Sequence, residues 1–522
     1  MFAGKKASFF TLIGLYILTI PFFNGLNVTT YDNSQILGHF GASTTVFTYS
    51  IYIPIFVMLA FMPLGLKLGK QIKVKTMILS ASFLSILFNT ASLYANSIEW
   101  FTFWRSLLGI VSVIGIFASM VPIILKYNPA FNMALLYGIL QFIQKGSQHV
   151  YQYLGAHFTS IYDWKFGIYF LNINFLICII LAWYFYKVDA APMKTKFQFD
   201  WRGWLIMILF FMVILFLSAE GQSRNWFNDP KISLATAILL ILFGIYVLHT
   251  RFTTDPIIDP DVYRYKNVVI GTFIMFYIGI VNGTGSVVTG YMTNVLGFDS
   301  VTGAETHLAL LIGLFVSIPL CTYLLFKRTY LATIWIMGFA CYGFYHIILF
   351  FRFYPGIDTV DFFLPLIFKG LGMGFLFPVS LLYISEKVPP RLSTSRMMSG
   401  IIAQAVFAGL LGSAVLGTFV SGLNIQHKTG ITQQFSAVNQ DAQKQIAGAK
   451  RNFLYKGMSE AQAQKMAEKS LSNKSAQAAM LLAYKDIYLV MSAVCFFPIL
   501  IILLFKLWRR PLGRVETEPI PI

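Results

Sequence analysis

Residues 141–153 read QFIQKGSQHVYQY, and they hold the densest set of side chains able to do chemistry in an otherwise apolar setting. Gln141, Gln144, Lys145, Gln148, His149 and Gln152 fall within this one stretch. On a helix, Gln141, Lys145, Gln148 and Gln152 recur at i, i+4, i+7 and i+11 and form a single stripe, flanked by Gln144 and His149. Amides offer donors and acceptors to a polar ligand, an ammonium offers a point charge, and an imidazole can carry a proton near neutral pH. The stripe is therefore suited to holding a small molecule or relaying a proton. Its plainer use is to join helices through hydrogen bonds.

The surroundings narrow the choice. ALLYGIL precedes the stretch and IYFLNINFLICIILAWYF follows it closely. A charged side chain at the centre of a bilayer costs at least about 2.5–3.5 kcal/mol on insertion scales. Several polar groups facing lipid would be prohibitive, so this face is expected to line a protein interior or a wet cavity.

The whole chain is of the same kind. Its 522 residues are 57% hydrophobic and only 11% charged, against roughly a quarter charged in soluble domains. The mean hydropathy is +0.69. This composition marks an integral membrane protein in contact with a lipid bilayer. A net charge of +18 raises nucleic acid as a partner, but most Lys and Arg lie in short connections between apolar runs, which excludes that reading.

About fourteen runs reach the roughly 20 apolar residues that a span needs. They centre on 8–28, 44–64, 76–94, 101–125, 132–156, 166–186, 203–219, 232–250, 268–292, 305–326, 332–351, 361–385, 397–420 and 486–507. Basic residues occupy every second connection. Lys5 and Lys6 precede the first span; Lys67, Lys70, Lys73 and Lys75 follow the second; Lys126 follows the fourth. Lys187, Lys194, Lys196 and Arg202 follow the sixth, and Arg251, Arg264 and Lys266 the eighth. Lys327 and Arg328 follow the tenth, Lys387, Arg391 and Arg396 the twelfth, and Lys506, Arg509, Arg510 and Arg514 the last. The alternation predicts that both termini are cytoplasmic.

The connection 421–484 is long, polar and on the predicted outer side. Its SEAQAQKMAEKSLSNKSAQAAMLLA is rich in helix formers, and Ser459 with Gln462 matches a capping box. One or two amphipathic helices are expected there, either as a solvated spacer or as a docking surface. Cys178, Cys321, Cys341 and Cys495 sit singly in apolar runs and read as packing residues. The basic, apolar start has no clear small-x-small cleavage site and reads as a retained first span. No GxxxxGK[ST] or HExxH pattern is present, so neither a nucleotide, a metal nor any other cofactor is expected, and no enzyme.

Two spans share a design. FWRSLLGIVSVIG (103–115) and PLIFKGLGMGFLFP (365–378) each place a cation in a glycine-rich helix, as expected of an internal repeat in a transporter. Further stretches extend the pattern: GLKLGKQIKVK (65–75), AEGQSRNWF (219–227), DPIIDPDVYRYKNVVIG (255–271), KGLGMGFLFPVSLLYISEKVPPRLSTSRMMSG (369–400) and GMSEAQAQKMAEK (457–469). In this order the chain resembles the major facilitator superfamily (MFS), within its fourteen-span drug:proton antiporter group of EmrB- and QacA-like proteins. The resemblance implies an all-α integral membrane fold of two six-helix bundles, 1–187 and 268–522, with two inserted helices in 188–267. It implies proton-coupled export of small amphipathic compounds across a bacterial inner membrane. It also implies an HlyD-like, EmrA-type periplasmic adaptor and an outer-membrane channel as partners, with adaptor contact through 421–484. In that fold the fifth span borders the central cavity.

The departures bear on mechanism. Arg105 and Gly109 match the RxxQG of the fourth span, but Leu108 replaces the Gln, and Gly69 replaces the Asp of the loop motif. Asn24 falls where the first-span motif carries an Asp, and Asp32 lies near the outer end of that span. The antiporter signature GxxxGPxxGG of the fifth span is replaced by the polar stripe. Arg105 is thus a gating candidate by its match, and Asp32 a coupling candidate. Glu305 and His307, at the start of the tenth span, are either a coupling pair or an interfacial cap. Lys369 is expected to face the interior. Asn24, Asn172, Asn174, Asn282 and Gln404 are expected in interhelical hydrogen bonds, with Asn24 and Asn282 also placed along the cavity. Cations outnumber carboxylates near mid-membrane, so an anionic, aromatic or neutral substrate is expected in preference to a lipophilic cation. The alternatives are a narrow-specificity metabolite carrier and a non-transporting sensor or scaffold on the same fold.

Overall fold

The computed structural model describes residues 9–27, 31–68, 72–127, 132–185, 199–327, 330–434 and 440–504. Lys5, Lys6, Lys70, Lys187, Lys194, Lys196, Arg328, Lys506, Arg509, Arg510 and Arg514 lie outside the described residues.

The described chain is helical, with no strand among those residues. In order the helices are α1 Phe9–Asn24, α2 Asn33–Phe40, α3 Thr44–Leu68, α4 Val74–Leu93, α5 Ile98–Tyr127, α6 Met133–Ile161, α7 Trp164–Phe185, α8 Trp201–Glu220 and α9 Pro230–Phe252. They continue as α10 Lys266–Gly283, α11 Gly285–Asn294, α12 Ser300–Phe326, α13 Leu331–Arg352, α14 Phe363–Ser385, α15 Ser393–Ile402, α16 Gly412–Gln434, α17 Gln440–Tyr455 and α18 Glu460–Leu504.

Twelve helical stretches among the described residues are long and apolar enough to cross a membrane. Two elements fall outside that measure. The apolar part of α1 is short, Ile13–Asn24, and α6 has 29 residues but carries the polar stripe. With these two, the architecture is compatible with the fourteen expected spans.

Buried apolar side chains gather in two large clusters. One is built from α1 to α7 and includes Phe22, Phe101, Ile143 and Phe175. The other draws on α10 to α18 and includes Met275, Leu310, Phe377 and Tyr488. Helix α6 contributes to both: Ala134 and Tyr137 to the second, Ile143 and Tyr151 to the first. A smaller cluster joins α3 and α8 to α15 and the π-helical stretch Ala403–Leu411.

The α8–α9 hairpin is pinned at both ends. At one end His249 and Asp200 meet at 2.8 Å, and the Asp259 amide donates to Ser395 at 2.9 Å. At the other, Trp226 donates to Thr418 at 2.9 Å and Gln222 to Ser421 at 2.7 Å. Helix α9 is exposed along most of its length, which suits a helix that is apolar all round and faces lipid.

Three features differ from expectation. A short helix, α2, sits in the connection after the first span, capped by Asp32. The ninth span is broken at Thr284 into α10 and α11. The outer segment and the last span are one helix, α18, of 45 residues, about 67 Å long at the α-helical rise and roughly twice a bilayer core. Helix formers run directly into the apolar run with no Gly or Pro between them, so nothing ends the helix at the membrane surface. The Ser459–Gln462 capping box is present at its start, each backbone N–H donating to the other residue's side chain at 3.4 Å.

Candidate transport site

Helix α6 packs against α1 and α7 on one side and α12 and α14 on another. The first side is set by short polar and small residues. Asn24 Nδ2 donates to Ser147 Oγ at 2.8 Å, and Tyr151 donates to Asn174 at 3.0 Å. Gly155 leaves room for the Tyr31 ring, which a Cβ there would strike.

The second side meets the other bundle in an antiparallel ladder. Tyr137 and Ser385 share a hydrogen bond of 2.5 Å. Gly138 lies against Thr322, Phe142 makes an edge contact with Phe315, and His149 stacks on His307. The spacing 138, 142, 145, 149 is i, i+4, i+7, i+11, so all four residues share one face.

Between these two packed sides lies the arc of Gln141, Gln148 and Gln152, with Lys145 at its edge. Val150 and His157, on the opposite arc, are exposed, as lipid-facing positions should be. Gln144 is exposed, Lys145, Gln148 and Gln152 are half-buried, and Gln141 is buried with its Oε1 unpartnered. The stripe therefore lies on the arc between the two packed sides of α6. His149 differs from the expectation that it lines the cavity: it is buried in the contact between α6 and α12.

Two ammonium groups converge here. Lys145 Nζ sits 5.6 Å from the centre of the Phe377 ring on α14. Lys369, two turns before Phe377 on α14, is 6% exposed and sits 5.4 Å from the Tyr345 ring. Its Nζ lies so close to Gly285 that a Cβ there would be 2.7 Å away. The Tyr345 ring is held from behind. Its hydroxyl meets Tyr488 at 3.0 Å, and Tyr488 donates to the Thr284 carbonyl at 2.9 Å. Gly285 thus leaves the space for Lys369, and the Thr284 carbonyl is the acceptor at the end of the hydroxyl chain that fixes the ring beneath it. Both cation–ring contacts are of the kind that favours a desolvated cation.

The charge of Lys145 reaches Lys369, and those of Lys145, Lys369 and His307 reach His149. No carboxylate is among these groups. Among the described residues, no ion pair includes Lys145, Lys369 or Glu305, and no cluster of three His, Cys, Asp or Glu is suited to a metal.

The other sequence candidates take different positions. Arg105 is 1% exposed and donates to Asn89 at 2.9 Å and to the Gly25 carbonyl at 2.7 Å, joining α5 to α4 and α1. Asp32 caps α2 and accepts from Ser300 at 3.2 Å, a link between the two bundles at one end of the interface. Glu305 is exposed, while His307 turns to His149 and donates from Nδ1 to the Gly303 carbonyl at 2.7 Å. The two do not pair with each other. Asn282 accepts from Tyr342 at 3.5 Å.

Phe377, Tyr345, Tyr488 and His346 were not singled out from the sequence. His346 is fully buried, donates from Nδ1 to the Tyr342 carbonyl at 2.7 Å and lies 3.1 Å from Thr284 Oγ1. A lone polar residue in the apolar run CYGFYHIILF was the available signal.

The profile of the Major Facilitator Superfamily matches residues 9–415. The chain belongs to the Major Facilitator Superfamily. Among curated proteins it is similar to the colistin resistance protein EmrB of Acinetobacter baumannii, 21% identical over 297 residues, which are 55% of this chain and 56% of that protein. The match thus spans a little over half the length of that relative. Among solved structures, a POT family transporter in complex with 5-aminolevulinic acid aligns with a TM-score of 0.57 at 13% identity, covering 97% of this chain and 98% of that one. A variant of the nucleoside transporter NupG aligns with a TM-score of 0.53 at 10% identity, covering 93% and 99%. At such identities the likeness establishes the MFS fold. Membership makes this a multi-pass membrane protein of a transporter superfamily.

Proposed function

We propose that this MFS protein is a proton-coupled secondary transporter of small amphipathic anions, acting in a bacterial inner membrane with both termini cytoplasmic. The observation that carries this reading is the pair Lys145 and Lys369, brought together from the two bundles over Phe377 and Tyr345, with no carboxylate among the groups that act on them. A buried ammonium beside a half-buried one needs an opposite charge. A ligand with an anionic head and an apolar body supplies that charge and packs on the rings. The glutamine arc offers amides to its remaining polar atoms. A lipophilic cation would meet only repulsion here.

Transport into proteoliposomes tests the reading, with taurocholate as the anion and ethidium as the cation under an imposed pH gradient. Saturable movement of taurocholate, abolished in Lys145→Met/Lys369→Met, is expected. Preferential movement of ethidium would overturn it.

A further inference from the structure

His149 and His307 come from different bundles and stack, with ring centroids 6.2 Å apart and planes 13° from parallel. Their hydrogen bonding is asymmetric. A carbonyl only accepts, so His307 Nδ1 carries the proton that it donates to Gly303 O at 2.7 Å. His149 Nδ1 is buried without a partner, although most buried polar atoms have one. This unpartnered ring nitrogen lies one helical turn beyond Lys145 and inside the contact between two bundles.

We propose that the His149–His307 pair takes up one proton together with the anion, so that proton and anion move in the same direction. The inference rests on the anion reading above and fixes the sign of its coupling. The proton comes from bulk solution and binds the lone pair of His149 Nδ1; no bond breaks and nothing is oxidised.

The charges around the pair dictate the sign. The groups acting on His149 are His307 of α12, Lys145 of its own helix and Lys369 of α14; Lys369 also acts on His307. All are cations or become cations on protonation. Helix α1 brings no charged side chain, and α7 brings Lys165 in its first turn. Glu305 on α12 is exposed and forms no ion pair with either ring among the described residues. With the site empty, an added proton meets the positive charge of Lys145 and Lys369. An anion between Lys145 and Lys369 offsets that charge and favours the proton. By reciprocity the protonated pair favours the anion. In an exchanger built on a carboxylate, proton and cation compete for one negative charge. Here the two ligands carry opposite charges and cooperate. Two imidazolium rings at this spacing repel, so the pair holds one proton and not two. An inward proton gradient then drives the anion inwards, opposite to the direction that the drug-exporter resemblance implies, and without need of an adaptor or outer channel.

The test is calorimetric titration of the purified full-length protein with taurocholate, whose sulfonate stays ionised, in buffers of different ionisation enthalpy. About one proton taken up per taurocholate is expected, with affinity tightening by up to about tenfold per unit fall in pH. His149→Gln and, separately, His307→Gln are expected to make taurocholate binding independent of pH. Proton release, or binding without proton exchange in the parent, overturns the proposal whether or not the variants fold. So does undiminished uptake in both variants. Failure of the parent to bind taurocholate at any pH instead overturns the anion reading, and the coupling with it.

Discussion

Arg105 is bound to Asn89 and, among the described residues, to no carboxylate: its guanidinium donates to Asn89 Oδ1 at 2.9 Å and to the Gly25 carbonyl at 2.7 Å, with 1% of the residue exposed. A buried cation held by neutral acceptors binds three helices together. Removing either partner leaves polar groups stranded. Asn89→Leu is expected to destabilise by about 1.5–3 kcal/mol, the range for hydrogen bonds to charged groups. Asn89→Asp, which supplies a countercharge, is expected to be tolerated. Thermal unfolding of the detergent-solubilised protein checks both. If Asn89→Leu unfolds at the parent's temperature, the tie is not structural.

The two lysines predict a graded loss. A charge-assisted contact to a ligand is worth about 1.5–3 kcal/mol, or roughly one to two powers of ten in affinity. Lys145→Met and Lys369→Met are each expected to weaken taurocholate binding by that factor, and Lys145→Arg by less, because it keeps the charge. Equilibrium binding on each variant is the measurement, and equal affinity for parent and Lys145→Met would remove Lys145 from the site.

The α6–α12 contact predicts a cross-link. A Cβ built on Gly138 lies 3.6 Å from Thr322 Cβ, within the roughly 3.5–4.5 Å span of a disulfide. Gly138→Cys with Thr322→Cys is expected to oxidise readily and to lock the two bundles at this end. Transport in proteoliposomes should fall with oxidation and return with reductant. Full activity of the oxidised protein would mean that this contact persists throughout the cycle.

The crossing of α12 and α14 depends on missing side chains. A Cβ on Gly313 would sit 2.2 Å from the Ile367 carbonyl oxygen, and one on Gly370 2.2 Å from the Leu310 carbonyl oxygen. Backbone cannot yield as a side-chain tip can. Gly313→Ala is expected to cost roughly 1–3 kcal/mol through overpacking. Gly146→Ala, where nothing lies within 4 Å of the added carbon, is expected to be neutral or slightly stabilising. The two unfolding temperatures, compared side by side, decide the matter.

Much of this was legible beforehand, for a local reason. A span is recognised by its length of apolar chain, a property of neighbouring residues. The same holds for the Ser459–Gln462 cap, which spans four residues. Even α6 was read as a span, and its Gln141, Lys145, Gln148 and Gln152 keep to one arc as their spacing requires. Where two local signals ran together, as at the join between the outer segment and the last span, the boundary could not be read. Helix formers and apolar residues both propagate a helix, and α18 passes through without a stop.

By itself the sequence determined that the chain is an all-helical membrane protein, and that Gln141, Lys145, Gln148 and Gln152 must share one protected arc. Helical periodicity and the cost of a charge in hydrocarbon suffice for that. Only the tertiary structure decided what each group meets. His149 is turned from the cavity onto His307, 158 residues away. Lys369 is settled over Tyr345, in the space left at Gly285, by packing that hydropathy does not register. Arg105, a gating candidate by its motif, is bound into the seam of α1, α4 and α5. Helical spacing fixes the direction in which a side chain leaves its own helix. The helix standing in that direction, and the residue at that depth on it, are fixed by packing across the whole chain.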